Sequence, residues 1–488
     1  MKTLEKILKL SSLLLMSASL PHCSDEGSGA QANLPVAMMP MTPMTETQPD
    51  PIVYSAPTLS SVMPTSVPNN VLSPLTLTGA NFRSPAAVTI GGVDCTSVTV
   101  VSPTQITCMY PGRAATCGGQ SISVTHLDDQ KSGDLPLPQG LRLTSGSFGF
   151  GDAATTVVEN GPASIVVGDF DGDQILDLAT ANRMRNSVSL ARGTGGGGFA
   201  DAVPFPVDTH PTALVVADLN GDQKLDIASA NDGANSVSVL LGDGQGGFAS
   251  AANFPVGMAA TAIANGDFNA DGKLDLVTGN FTSRDVSLLL GDGQGGFASA
   301  VHFAAGANPS SITAGDFNGD GKLDVAVGNF NGDDVSVLLG DGLGGFGNAA
   351  NFAAGSGPVA ITSRDLNGDG KLDLVVPNLK GGTVSVLLGN GMGGFASPAS
   401  LAAGADPFWA TVGDLNGDQK LDLAVTNGST MGVLLGDGQG GFSPYSVLAS
   451  GTNPSEVVIA DFNRDQLPDL AFGNYGSNTF SVVLQRCQ

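Results

Sequence analysis

Tryptophan occurs once in this chain of 488 residues, at Trp409, and tyrosine only four times. Lysine and arginine number 20 against 45 acidic residues, a formal charge of −25. Histidine is confined to His22, His126, His210 and His302. Each shortage excludes something. The charge argues against nucleic acid and anionic membrane surfaces as partners. His126, His210 and His302 are scattered, and none stands beside a serine or cysteine motif, so no nucleophile with its base is legible and no catalytic residue is assigned. Beyond the extreme N-terminus no apolar run could span a bilayer, and after residue 144 there is no helical hydrophobic period. What abounds is glycine, 68 residues of it, the mark of a turn-rich repeat chain rather than a helical enzyme.

The repeat is an acidic loop, Asp-x-Asp/Asn-x-Asp-x-x-x-Asp, present seven times at steps of 49 residues, the last step 47. Its candidate metal ligands are Asp169, Asp171, Asp173 and Asp177; Asp218, Asn220, Asp222 and Asp226; Asp267, Asn269, Asp271 and Asp275; Asp316, Asn318, Asp320 and Asp324; Asp365, Asn367, Asp369 and Asp373; Asp414, Asn416, Asp418 and Asp422; and Asp461, Asn463, Asp465 and Asp469. Side-chain oxygens at positions 1, 3, 5 and 9 with a carbonyl at 7 can wrap one hard cation. Calcium, which takes six to eight oxygens, suits them better than magnesium. Up to seven Ca²⁺ are expected, and they would bring the charge to about −11. Glycine recurs at positions 4 and 6, where the chain turns tightly.

Each unit holds four apolar or alternating runs. In the fourth they are Ser311–Ala314, Leu323–Val327, Val335–Leu339 and Phe346–Phe352. Four strands per repeat of this length make a propeller blade. The last unit stops after a third strand, Phe480–Leu484. Its missing fourth appears at the start of the array, where Phe148–Ala153 resembles Gly247–Ala252. The fold expected is all-β, a seven-bladed β-propeller over 145–488 whose N-terminal strand closes the last blade and removes the open edges. The run Gly242-Asp243-Gly244-Gln245-Gly246-Gly247 matches a dinucleotide fingerprint, but that fingerprint needs a following helix. Here a strand follows, so these are hairpin turns between third and fourth strands. The pattern resembles the FG-GAP/VCBS repeats of integrin α-subunit propellers and of many exported bacterial proteins.

Antiparallel strands put the acidic loops and glycine turns on one face. The other face carries the loops between second and third strands and those leading into each unit. Only this second face varies between units, and its candidate ligand residues are Phe408, Trp409, His210, Arg183, Arg185, Phe281, Phe330 and Tyr475. The asparagines that open the loops after the second strands, from Asn182 to Asn474, read as turn residues.

Upstream, Lys2, Lys6 and Lys9 precede an apolar Leu10–Leu20, an export signal. Leu20-Pro21-His22-Cys23 resembles a lipoprotein box, which makes Cys23 a lipidation site over residues 1–23; ordinary cleavage is the alternative. Residues 24–55 read as a disordered linker rich in Pro, Met and Thr. Residues 56–144 contain short alternating runs such as Leu75–Thr78 and Val88–Ile90 bounded by Gly, Pro and Asn. With Pro57–Pro64, Leu77–Phe82 and Ser102–Cys108 they resemble an IPT/TIG domain, an immunoglobulin-like β-sandwich serving as spacer or binding module. Export permits disulfides. Cys95 and Cys108 flank one hairpin and form the favoured bridge, and Cys117 with Cys487 would tie the domains.

These readings combine in an exported protein of the cell envelope or surface, secreted if Cys23 carries no lipid. It is expected to be a monomer that meets a membrane only through its anchor, binds calcium, and acts as an adhesion or ligand-binding module for a protein or glycan. The alternative is a polysaccharide-active enzyme or lectin on the same propeller.

Overall fold

The computed structural model describes residues 56–64, 66–68, 73–90, 93–111, 119–120, 122–126, 141–144 and 148–487. Cys23, Cys117, the signal and the linker lie outside them. Among the described residues every regular element is a strand, and no helix is long and apolar enough to cross a membrane.

In the N-terminal domain, Thr58–Met63, Ser73–Ala80, Gln105–Tyr110 and Thr96–Ser102 lie side by side in that order, and Ala86–Ile90 pairs with both Val93–Asp94 and Ile122–His126. The period of two in Ser73–Ala80 is visible in its burial: Leu75 and Leu77 are buried, while Pro74 between Ser73 and Leu75 is exposed. With Ile90, Ile106, Tyr110 and Ile122 they form one core, as alternation on half-buried strands requires. Cys95 and Cys108 are both buried in this core but stand as free thiols. The favoured bridge is therefore not formed, although the two side chains meet in a hydrogen bond that, with burial, pushes the Cys95 thiol far up.

The repeat region forms seven four-stranded antiparallel sheets. Sheet 1 comprises Pro162–Gly168, Asp177–Asn182, Ser187–Ala191 and Val203–Pro206. Sheets 2 to 6 repeat this plan, opening on Pro211–Ala217, Ala260–Gly266, Pro309–Gly315, Thr362–Arg364 and Trp409–Gly413. Sheet 7 joins both ends of the array: Ala154–Val157 pairs with Thr479–Val483, followed by Asp469–Asn474 and Pro454–Ala460. Phe148–Phe150 adds a second ladder to Gln485–Cys487. The first strands touch in succession, and that of sheet 7 touches that of sheet 1, closing a ring. The expected exchange at the termini is present.

Second strands such as Asp177–Asn182 are buried at every residue, whereas fourth strands such as Val203–Pro206 are largely exposed. A second strand is covered by neighbouring sheets on both faces, so it reads as a run of small apolar residues with no alternation. Aromatic rings wedge the sheets apart at fixed spacing: Phe170 meets Phe248 of the next sheet edge-on at 5.7 Å, Phe317 meets Phe395 at 5.9 Å, and Phe462 of sheet 7 meets Phe199 of sheet 1 at 5.8 Å. Edge-to-face geometry is the favoured one for such rings. Nearer the axis, hydroxyls donate from one first strand to the next: Thr212 to the Ala260 carbonyl at 3.1 Å, Thr261 to that of Pro309 at 2.9 Å, Ser310 to that of Pro358 at 2.7 Å.

One expectation needs correction and another needs extending. The fourth strand of sheet 4 is Ala350–Ala353 rather than Phe346–Phe352. Phe346 makes a single bridge to Gly340, its ring committed between Phe268 and Phe303. The asparagines after the second strands do open turns, as the Arg185 amide on the Asn182 carbonyl and the Ser477 amide on that of Asn474 show, but their side chains do more. Asn182 ends its strand fully buried, and its amide donates to the Ser187 and Ser189 hydroxyls at 3.1 and 2.8 Å. Asn231, Asn280, Asn329, Asn378 and Asn474 repeat the link. A buried amide must find partners, and here they hold the third strand to the second.

Phe480 is fully buried, with its ring perpendicular to Phe199 at 5.2 Å, so it pins sheet 7 to sheet 1. Phe480→Ala should cost about 3–5 kcal/mol in denaturant unfolding, whereas Phe408→Ala, 41% exposed, should cost under about 0.5 kcal/mol.

Candidate metal loops and binding face

In the fourth loop, Asp316 Oδ1 accepts the amides of Gly319 and Asp320 at 2.7 and 3.2 Å, and Oδ2 accepts that of Gly321 at 2.8 Å. Gly319 and Gly321 have φ of +76° and +79°, the left-handed region glycine enters freely. Asn318 Oδ1 and Asp320 Oδ1 cap the next turns. Asp324 differs. It opens the second strand, is fully buried, and accepts the Phe317 amide at 2.9 Å through one oxygen and the Gly340 amide at 2.7 Å through the other. The same double capture recurs from Asp177 (Phe170, Gly193) to Asp469 (Phe462, Gln485). The ninth position thus binds the acidic loop to the glycine turn of its own sheet, a structural duty the spacing alone did not reveal.

Burial pushes these ninth carboxyls up, against the two amides that hold them down, and the neighbouring loop carboxylates push further: Asp177 and Asp422 to about 6, Asp469 to about 7. Such a cluster favours a cation. In the first loop, oxygens of Asp169, Asp171 and Asp177 lie within 4.8 Å of one another. In loops 2 to 6 a lysine at position 7 pairs with the carboxylate at position 5, as Lys371 does with Asp369 at 3.1 Å and Lys224 with Asp222 at 3.2 Å. These are exposed pairs of little energy. The seventh loop instead sends Arg464 to the Gln174 carbonyl of the first loop.

The glycine turns are hairpins, as expected. Gly242 bridges Phe248, and Asp243 Oδ1 accepts the Gln245 and Gly247 amides at 2.7 and 2.9 Å. They share a face with the acidic loops, since the Gly246 amide donates to the Phe170 carbonyl of the sheet before it. On the other face, each loop after a second strand donates to the loop leading into its own sheet, as Phe281 does to Ala259 and Phe330 to Asn308.

That second face opens into a cavity of about 1000 Å³, lined by Arg183, Phe281, Phe330, Phe408, Trp409 and Tyr475 among others. Six of the eight candidate ligand residues are thus brought together. His210 and Arg185 are exposed outside it. His210 takes a φ of +56° and holds its Nδ1 3.5 Å from Asp232, which Arg183 also engages. The rings of Phe281 and Phe330 lie 6.2 Å apart, and Lys380 Nζ sits 4.1 Å over Phe330. Asn308, Asp406 and Asn453 share the left-handed backbone of His210, so part of the variation on this face follows turn geometry. Glu456, on the first strand of sheet 7, also lines the cavity. It was legible only as a face residue. Its Oε2 accepts the Ser164 hydroxyl at 2.6 Å and the Ile165 amide at 3.2 Å, and burial raises its carboxyl to about 7.

The FG-GAP-like repeat matches six overlapping stretches, 169–229, 218–278, 267–327, 316–376, 365–425 and 414–472. The chain belongs to the FG-GAP-like repeat family. Each stretch spans one acidic loop and the next, so all seven loops of this FG-GAP chain are covered. An IPT/TIG domain matches residues 57–137. No curated protein matches the sequence. Among solved structures, BBS1N in complex with ARL6DN is 12% identical, covering 70% of this chain and 97% of its own, with a TM-score of 0.51. An Agrocybe aegerita lectin that recognises non-reducing terminal N-acetylglucosamine is 20% identical (82% and 98% covered, TM-score 0.45). An auxiliary nutrient binding protein of Bacteroides thetaiotaomicron is 11% identical (88% and 98%, TM-score 0.40). At these identities the likeness to the first is one of fold.

Two outcomes are expected of this FG-GAP array. Asp324→Ala strands two buried amides and should lower stability by about 3 kcal/mol or more with or without EDTA, whereas Asp320→Ala should lower it only when calcium is present. The second concerns pH. Glu456 is an acid whose folded pKa lies above its unfolded value. The stability it contributes is therefore full below about pH 4.5 and lost as pH rises through about 7. Melting of wild type against Glu456→Gln from pH 5 to 8 should show the wild type losing ground; parallel curves would show that Glu456 does not titrate in this range.

Proposed function

We propose that this chain is an exported, lipid-anchored FG-GAP protein whose acidic loops hold calcium and whose opposite face binds a protein or glycan ligand. The observation that carries the binding reading is the asymmetry of the array: the loop face repeats seven times, while the opposite face gathers six varied side chains around one cavity. Concave sites lined by apolar and aromatic groups with a few polar ones are where ligands bind.

For calcium, the donor set supports the reading. Each loop offers only oxygen donors, and the first brings three carboxylates within reach of one ion. Positions 1, 3 and 5 with the ninth aspartate would hold it. Oxygen-only chemistry suits calcium, at the affinities of extracellular modules. At tenfold saturation each site would add about 1.4 kcal/mol, and seven together roughly 10 kcal/mol, comparable to the stability of a whole domain.

The binding reading is preferred to an enzymatic one because no histidine is among the residues lining the cavity, and most carboxylates of the array belong to the loops. The cavity nonetheless contains Glu456, Asp406 and Tyr475. Thermal unfolding of residues 24–488 in calcium and in EDTA is the direct test. A large calcium-dependent rise in midpoint supports loaded loops, and an unchanged midpoint rejects them. Glycan and peptide arrays should then give a signal that Trp409→Ala abolishes. Turnover of a polysaccharide that Glu456→Gln removes would favour the enzyme instead.

A further inference from the structure

Seven side chains occupy one equivalent position at the entry to each sheet, two residues after a proline or alanine: Ser164, Ala213, Ala262, Ser311, Ala360, Trp409 and Glu456. Five are small. The tryptophan and the glutamate break the pattern on adjoining sheets, whose first strands touch, and both line the cavity. A ring of small residues interrupted once by a large π face and once by a carboxylate is a built asymmetry.

The glutamate is held in place. Ser164 accepts the Leu214 amide at 3.2 Å and donates to Glu456 Oε2 at 2.6 Å, and the Ile165 amide joins it. Two donors on sheet 1, one of them held by an amide of sheet 2, thus orient a carboxylate on sheet 7, and among the described residues its Oε1 makes no hydrogen bond. The charge around it is lopsided. Asp232, Asp406 and Glu456 line the cavity against one cation, Arg183, which is spent on Asp232. The remaining lining is chiefly apolar or aromatic.

An aromatic, weakly hydrated pocket with surplus carboxylate selects a particular ligand chemistry. Metal ions want several oxygens gathered at one point, and among the described residues the only such gathering of acidic side chains is in the first loop, not in this cavity; an ammonium is strongly hydrated. A guanidinium is planar, weakly hydrated, stacks on aromatic faces and bonds carboxylates in pairs. We propose that the cavity binds a guanidinium group stacked on Trp409 and hydrogen-bonded to Glu456, with Asp406 adding charge. This rests on the reading that the cavity face is the ligand face.

Trp409 is the sole tryptophan, so its emission reports on the site directly. The full chain would be titrated with n-butylguanidinium, n-butylammonium and the neutral isostere n-butylurea, by fluorescence and by calorimetry. Butylguanidinium should bind saturably and at least tenfold tighter than either of the others. Glu456→Gln, which keeps an acceptor for Ser164, should weaken it at least tenfold, and Asp406→Asn severalfold. Asp406→Asn should melt like wild type, and Glu456→Gln no lower than wild type at neutral pH, which separates lost binding from lost folding. Equal affinity for the urea, an unaffected Glu456→Gln, or no saturable signal overturns the proposal. Binding of acetyl-arginine amide as well would identify an arginine side chain of a partner as the source, and its exclusion a free guanidino compound. An array signal abolished by Trp409→Ala but indifferent to guanidinium would overturn this assignment and leave the broader binding reading standing.

Discussion

Everything in the repeat region depends on one buried carboxylate per sheet. The ninth residue of each acidic loop ends one turn and, through its second oxygen, fixes a glycine turn 16 residues on for Asp177, Asp226, Asp275, Asp324 and Asp373 and 14 on for Asp422, and for Asp469 the strand that opens at Gln485, 16 residues on. A charge taken out of water is costly unless it is hydrogen-bonded, so the site tolerates little but aspartate with both amides in place. That requirement sets the register of strands one and two, positions the glycine turn, and brings the loop oxygens together. A cation would relieve what the amides leave uncompensated. On the proposed reading, metal binding and folding would be two uses of the same residue.

The coupling extends between sheets. The carbonyl of the second loop residue accepts an amide from the next glycine turn at four junctions, Phe170 from Gly246, Phe268 from Gly344, Phe317 from Gly393 and Phe462 from Gly197, and the aromatic ring of the same residue meets the phenylalanine of that turn. A loop, the turn beside it and the following sheet form one mechanical unit. Ions in the loops would stiffen the ring as well as each hairpin.

The sequence disclosed the architecture because the architecture is periodic. Repeats at 49 residues, strand-length runs and the stray fragment at Phe148 sufficed for the sheets and their closure. It also disclosed which face varies, and the cavity gathers Phe281, Phe330, Phe408, Trp409, Tyr475 and Arg183 from loops far apart in the chain. Three things escaped. The buried asparagines look like turn residues and nothing more, because their side-chain partners, such as Ser189, are found only by folding the hairpin. The ninth aspartate looks like a ligand and nothing more, since amides carry no side-chain signature. Glu456 was one polar residue among several until Ser164, nearly 300 residues away, was seen to donate to it. His210 and Arg185 lie exposed on the same varied loops, outside the cavity lining.

The ring is sealed where both ends of the array meet, and this has a mechanical corollary. Any pull arriving through residue 148 is met first by the ladder of Phe148–Phe150 on Gln485–Cys487 and then by Ala154–Val157 on Thr479–Val483. The clasp that closes the disc is also its load-bearing seam. A disc tethered on that side and gripped by a ligand in its channel would feel tension at the one junction not continuous in sequence, so that strain could open it there before any other sheet yields.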